Sequence, residues 1–196
     1  MHRHYLLNKP HSTLSQFKTQ QTRRRNKRML GELHDFAPGT MAIGRLDEHS
    51  EGLLLLTTDG RESERIRSAA IEKEYYARVL GEVGEGALLR DAEAFAKLRG
   101  GVEIQLEGAA YRTKPCLARA IPDPAFAFPP RRIHRAQHGP ATWISVTLRE
   151  GKYRQVRKML AAVGHPVIRL VRVRIGKLTL GDLGVGEVRE VSRLAV

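Results

Sequence analysis

Residues 43–60, IGRLDEHSEGLLLLTTDG, constrain the fold more than any other stretch of this chain. The four leucines from Leu53 to Leu56 make an apolar run bounded by turn signals. A run this short suits a strand buried on both faces better than a helix. Residues 44–51 before it read as a polar loop holding Arg45, Asp47, Glu48, His49, Ser50 and Glu51, entered and left through Gly44 and Gly52. The loop is thereby anchored on rigid backbone, where a reactive carboxylate is best held.

The rest of the chain alternates strand and helix patterns. Residues 4–8 read as a first strand ended by Lys9-Pro10, because proline lacks a ladder donor and restricts the residue before it. Residues 59–70 suit a short helix with Asp59 at its N-terminus, and residues 85–98 a second one stopped by Gly100-Gly101. Strands are expected around residues 75–80, 102–106, 110–121 and 142–148. Val156, Met159, Leu160 and Val163 fall at i, i+3, i+4 and i+7, one face of a helix over residues 153–163. Arg154, Arg157 and Lys158 share another face, and Gly164 with Pro166 stops the helix. A strand follows at residues 167–175, in which Arg169, Arg172 and Arg174 need solvent, phosphate or acid partners. The pattern predicts one mixed α/β domain, α+β in type, with a largely antiparallel sheet and flanking helices.

Charge narrows the class of partner. The 196 residues carry 34 Lys and Arg against 21 Asp and Glu, a formal net charge of +13. Such an excess favours a polyanion, raising association rate and non-specific affinity. The densest run, KTQQTRRRNKR at residues 18–28, has six basic residues and no acid. It reads as a phosphate-contacting arm, and with no polyanion present as a disordered loop. The single cysteine, Cys116, excludes an intramolecular disulfide framework, and the eight histidines show no metal-ligand spacing, so no metal site is expected. No stretch reaches the roughly eighteen apolar residues of a membrane span, and no apolar signal core follows Met1. A cytoplasmic protein that binds no membrane is expected.

GRLDEHSEGLLLLTTDG resembles the central motif of the RsuA-like family of RNA pseudouridine synthases. The likeness recurs in Asn8-Lys9-Pro10, in Lys73-Glu74-Tyr75 and in EGKYRQVRKMLAAVGHPVIRLVRVRIG at residues 150–176, in the family's order along the chain. It is strongest for the branch that acts on large-subunit (23S) rRNA. The Pro-rich stretch at residues 122–143, ending in Trp143, is similar to an insertion of that branch. The resemblance implies a sheet bent into two lobes around an RNA cleft and a single catalytic domain over residues 1–196. It also implies no N-terminal S4-type module, since seven residues precede Asn8.

By resemblance, Asp47 is the catalytic carboxylate and lies in the cleft. It would cleave the glycosidic bond as a nucleophile at the sugar or as a base at C2′, and the residues leave both roles open. Arg157 would be its cationic partner, Tyr75 would stack on the flipped uracil, and Leu170 would supply an apolar wall. Arg45, two residues before Asp47, would fill the space of the extruded nucleotide. Lys9, Arg23, Arg24, Arg25, Arg131, Arg132, Arg135, Arg154 and Lys158 are the expected RNA contacts, fixing register without reading bases. No cofactor is implied. The implied partner is large-subunit rRNA or a ribosome assembly intermediate, and the protein is expected to be a monomer.

Plainer readings compete with each assignment. An Asp in a polar loop is ordinarily a turn or cap residue, and a basic helix face is ordinarily solvated. Glu48 and Glu51 could form a glycosidase-like carboxylate pair with Asp47, but they read as solvent-facing or loop-structuring residues. Two other functions would use the same chain: a basic RNA-structuring or ribosome-assembly factor, and a hydrolase that releases free base.

Overall fold

The computed structural model describes residues 2–18, 26–80, 88–126 and 141–196. The chain divides into two compact units, Met1–Ile71 with Val171–Val196, and Glu72–Leu170.

The first unit opens with β1 (His4–Lys9), β2 (Thr13–Leu14), β3 (Arg28–Met29), β4 (Met41–Ala42), β5 (Glu51–Thr57) and helix α1 (Gly60–Ser68). Strand β5 is its centre. All seven residues of β5 are buried, and Leu53, Leu54, Leu55 and Leu56 are each 0 % exposed. Six antiparallel pairs join it to β1, from His4↔Thr57 to Lys9↔Gly52. Burying each leucine contributes about 1.5–3 kcal/mol, which accounts for an unbroken apolar run where a half-exposed strand would alternate. Helix α1 starts at Asp59, whose carboxylate accepts the amides of Arg61 and Glu62 at 2.9 and 3.3 Å. Those amide bonds hold its pKa below the usual range against the opposing effect of desolvation.

The second unit carries β6 (Lys73–Leu80), α2 (Leu88–Gly100), β7 (Glu103–Leu106), β8 (Ala109–Arg112), β9 (Leu117–Ile121), β10 (Ala141–Leu148) and α3 (Gln155–Ala162). Its β10 lies between β6, with eight antiparallel pairs, and β9, with five. Leu98, Ile104, Ile144, Val146, Met159 and Leu160 build one packed cluster there. Val156, Met159 and Leu160 are the buried face of α3, as their spacing requires, with Val163 packed at the rim.

Strand β11 (Val167–Ile175) has its first four residues in the second unit and the remainder in the first. The short β12 (Leu178–Thr179) and β13 (Val188–Val191) complete the chain. Strand order is β13-β1-β5-β11 in the first unit and β11-β6-β10-β9 in the second. The sheet is largely antiparallel, with a parallel pairing at Val171↔Glu51 and Arg172↔Gly52.

Several boundaries differ from the sequence expectation, two of them for a plain physical reason. Strand β5 begins at Glu51, so Gly52 is a strand residue and not the exit of a loop. Its φ is +100°, and a Cβ there would stand 2.3 Å from the carbonyl oxygen of Arg172. Only glycine allows the backbone of β11 to approach so closely. Glu51 is correspondingly buried, at 5 % exposure, and is not solvent-facing. The expected strand over residues 110–121 is two strands in different sheets, β8 pairing β7 and β9 pairing β10. The break lies at Thr113 to Cys116, where Thr113 exchanges bonds with Val102 and Pro115 removes a ladder donor.

Candidate active site and RNA-binding surface

The Asp47 loop is fastened by side chains drawn from residues 9–15 and 27. Leu46 points inward at 7 % exposure, and the Ser15 hydroxyl clips its backbone. Ser15 Oγ accepts from the Leu46 amide at 3.0 Å and donates to the Leu46 carbonyl at 2.8 Å. Arg45 and Asp47 flank this buried anchor, Arg45 exposed and Asp47 half-buried. A turn follows, closed by the Ser50 amide on the Asp47 carbonyl at 3.0 Å. Glu48 forms an ion pair with Lys27 at 2.8 Å, and His49 stacks on His11 with ring centroids 4.8 Å apart. Asp47 therefore sits in a loop whose backbone is held on both sides of it.

Lys9 corrects an expectation. It is 0 % exposed, and its ammonium donates to the carbonyls of Pro10, Thr13 and Glu48 at 2.9, 2.7 and 3.3 Å. A side chain so enclosed is an internal clamp for the loop, in place of the phosphate contact expected from the Asn8-Lys9-Pro10 sequence. Burial lowers its pKa to about 7, with Arg172 adding to the effect and Glu51, Asp47 and Glu48 opposing it. Arg172 is a second interior cation, at 3 % exposure, whose Nε donates to the Leu53 carbonyl at 2.7 Å. That partner is a backbone oxygen of the Leu-rich strand, a class of partner that residue pattern does not reveal.

The second unit gathers another set of expected residues. Leu170 is buried at 4 % exposure in the core cluster, and half-buried Tyr75 and Val167 pack against that cluster. Arg157, half-buried on α3, donates to the Val167 carbonyl at 3.3 Å. Tyr75 thus packs on the cluster that contains Leu170, and Arg157 bonds the start of β11, while Arg45 and Asp47 belong to the first unit. Arg154, expected on a helix face with Arg157 and Lys158, instead precedes α3 in the left-handed region at φ +53°, and Lys158 Nζ donates to the Gln105 carbonyl at 2.6 Å. Arg169 lies over the rings of Phe126 and Trp143, 5.5 and 6.0 Å from their centroids. Arg23, Arg24, Arg25, Arg131, Arg132 and Arg135 lie outside the described residues.

Glu150 organises the loop before α3, a role the sequence reading did not assign. Its carboxylate accepts the Tyr111 hydroxyl at 2.6 Å, the Lys114 amide at 2.9 Å and the Gln155 side-chain amide. Burial alone would raise its pKa, but these three bonds together hold it below the usual range. The signal available was the EGKYRQ sequence itself, where an acid and an amide bracket a turn. Among the described residues, no group of three or more His, Cys, Asp or Glu side chains could hold a metal ion.

Known proteins resemble this chain along most of its length. The sequence family described as RNA pseudouridylate synthase matches residues 3–162. The ribosomal large subunit pseudouridine synthase E of Vibrio vulnificus (strain CMCP6) is 38 % identical over 193 residues, covering 95 % of this chain and 74 % of that protein. The ribosomal large subunit pseudouridine synthase E of Xanthomonas axonopodis pv. citri (strain 306) is 40 % identical over 184 residues, covering 91 % of this chain and 88 % of that protein. A crystal structure of a pseudouridylate synthase superposes with a TM-score of 0.71 at 27 % identity, covering 98 % of this chain and 71 % of that one. With the family matched over this span and relatives at this identity across nearly the whole chain, the protein belongs to the RNA pseudouridylate synthases, a family of RNA isomerases.

Proposed function

We propose that this enzyme converts a uridine of large-subunit (23S) rRNA to pseudouridine, with Asp47 as the catalytic carboxylate. The observation that carries the assignment is the fastening of the Asp47 loop by Ser15, Lys9 and Lys27. A carboxylate on a loop immobilised at this cost to the surrounding structure is prepared for a reaction whose geometry is exacting. The names of the relatives in Vibrio and Xanthomonas support large-subunit rRNA as the substrate.

The reaction breaks the N1–C1′ bond, turns the uracil, forms a C5–C1′ bond and releases the C5 proton to solvent while N1 gains one. Asp47 initiates cleavage either by attack at C1′ or by removing the C2′ proton. Tyr75, Arg157 and Leu170 serve the uracil and the charge of the carboxylate, and Arg45 replaces the extruded nucleotide in the RNA. Extrusion costs a few kcal/mol, of which stacking on Tyr75 returns about 1–3 kcal/mol. Phosphate contacts from Arg154, Lys158, Arg23 to Arg25, Arg131, Arg132 and Arg135 offset the remainder. Residues 1–196 form one catalytic domain in this proposal. The protein acts as a monomer in the cytoplasm, on rRNA either free or in an assembly particle.

The test is tritium release from large-subunit rRNA labelled at uridine C5. Wild type is expected to release tritium, and Asp47→Asn to release none while keeping its fold and RNA affinity. Turnover that survives in Asp47→Asn would overturn the role of Asp47. Free uracil among the products would replace isomerisation by hydrolysis.

A further inference from the structure

The loop that Glu150 organises presents one aromatic ring to solvent. Tyr153 is 69 % exposed, the highest exposure among the large hydrophobic side chains described. It stands there on a rigid mount. The Lys152 amide donates to the Gln155 side chain at 2.9 Å, the Gln155 amide returns to the Lys152 carbonyl at 3.1 Å, and Gln155 is buried. Gln155 is in turn bonded to Glu150, which is tied to Tyr111 and to the Lys114 amide. Directly after Tyr153 the backbone turns through Arg154 in the left-handed region, at φ +53°, a conformation costly for a residue with a side chain. Neither the capped turn nor the strained residue buries apolar surface from Tyr153. The turn thus holds the phenol largely in solvent.

The surroundings state what the ring can receive. Lys158 Nζ lies 5.4 Å from the Tyr153 centroid and is itself held by the Gln105 carbonyl. Lys152 lies over the Tyr111 ring at 5.2 Å, and Arg154 adjoins the tyrosine in sequence. An exposed aromatic with three neighbouring cations, in a chain of net charge +13, matches a nucleobase with its flanking phosphates. We infer that Tyr153 is a stacking platform for an unpaired base of the RNA substrate, with Lys152, Arg154 and Lys158 meeting the adjacent backbone phosphates. The platform rests on the proposal that the substrate is RNA, but it is separate from the uracil-binding role assigned to Tyr75.

The experiment compares wild type with Tyr153→Phe, Tyr153→Leu and Tyr153→Ala for binding of a fluorescein-labelled adenosine-only RNA single strand. An RNA duplex of equal length is measured beside it. The single strand holds no uridine, so its affinity does not depend on isomerisation. Tyr153→Phe is expected to bind like wild type, and Tyr153→Ala about 5- to 150-fold more weakly, the range that loss of one base–aromatic stack produces. Tyr153→Leu should fall with Ala. The salt dependence should be the same for wild type and Tyr153→Ala, because stacking releases no counterions, and duplex affinity should be unchanged. Equal single-strand affinity of Tyr153→Ala and wild type, an equal loss on duplex, or no binding of the single strand by wild type would each overturn the platform. Tritium release by wild type alongside an unaffected Tyr153→Ala rejects the platform and leaves the enzyme assignment standing. Loss of single-strand affinity in Tyr153→Ala with no tritium release by wild type does the reverse.

Discussion

The hydroxyl of Ser15 is bonded to both backbone polar groups of Leu46, accepting from its amide at 3.0 Å and donating to its carbonyl at 2.8 Å. One oxygen atom thereby fixes the peptide units on either side of Leu46, next to Asp47. Replacing Ser15 by Ala leaves two buried backbone groups without that partner, each at a cost of about 1–3 kcal/mol. The expected result is a lower urea midpoint with an unchanged m-value. Turnover should fall by about ten- to a hundredfold, because small displacements of a reacting group are that costly. Unchanged turnover in a destabilised Ser15→Ala protein would show that the clip serves folding alone.

Lys9 should impose a pH dependence on stability. Burial lowers its pKa from the ordinary 10.5 to about 7 in the folded protein. Between these values the unfolded chain binds a proton that the folded chain does not, so this residue makes stability rise with pH across the window. The rise is about 1.4 kcal/mol for each pH unit within the window. Subtracting the unfolding free energies of Lys9→Met from those of wild type, from pH 7 to pH 10, should isolate it from Cys116, whose thiol burial pushes up to about 11. A difference that stays flat with pH would place the Lys9 pKa in its ordinary range.

Gly52→Ala should be among the most damaging single-methyl changes in the chain. The added carbon would stand 2.3 Å from the Arg172 carbonyl oxygen and 2.8 Å from its amide nitrogen, at φ +100°. Backbone on both sides must separate, breaking the parallel pairing at Arg172↔Gly52. A loss of about 3–5 kcal/mol is expected, measured by urea unfolding. Gly60→Ala is the control, since a methyl there meets no atom within 4 Å.

Local pattern carried the Leu-rich strand, the cap at Asp59, the buried face of α3 and the loop of Asp47, because each depends on residues a few positions apart. What it missed depends on backbone brought from far away. Lys9 reads as a surface cation until three carbonyls are seen around its ammonium. Ser15 is one serine in a polar stretch, and its partner is 31 residues distant. The strand over residues 110–121 looked continuous because its side chains suit extended backbone throughout. It breaks because Thr113 is claimed by Val102. Glu150 and Tyr153 went unassigned for a related reason: a motif marks residues without separating those that react from those that hold or present.

The central place of β5 bears on how the protein is made. Its antiparallel neighbour β1 has already been synthesised when the four leucines emerge, but Arg172, which binds the Leu53 carbonyl, is 119 residues further along. Until then the strand's other edge is covered only in part, by β4 at Leu56 and Thr57, and the remainder is an apolar segment of the kind that nucleates intermolecular pairing. Glu51, the first residue of the strand, and Asp59 beyond its end put an acid on either side of the four leucines. The nascent chain has to keep this edge solvated until its C-terminal third arrives.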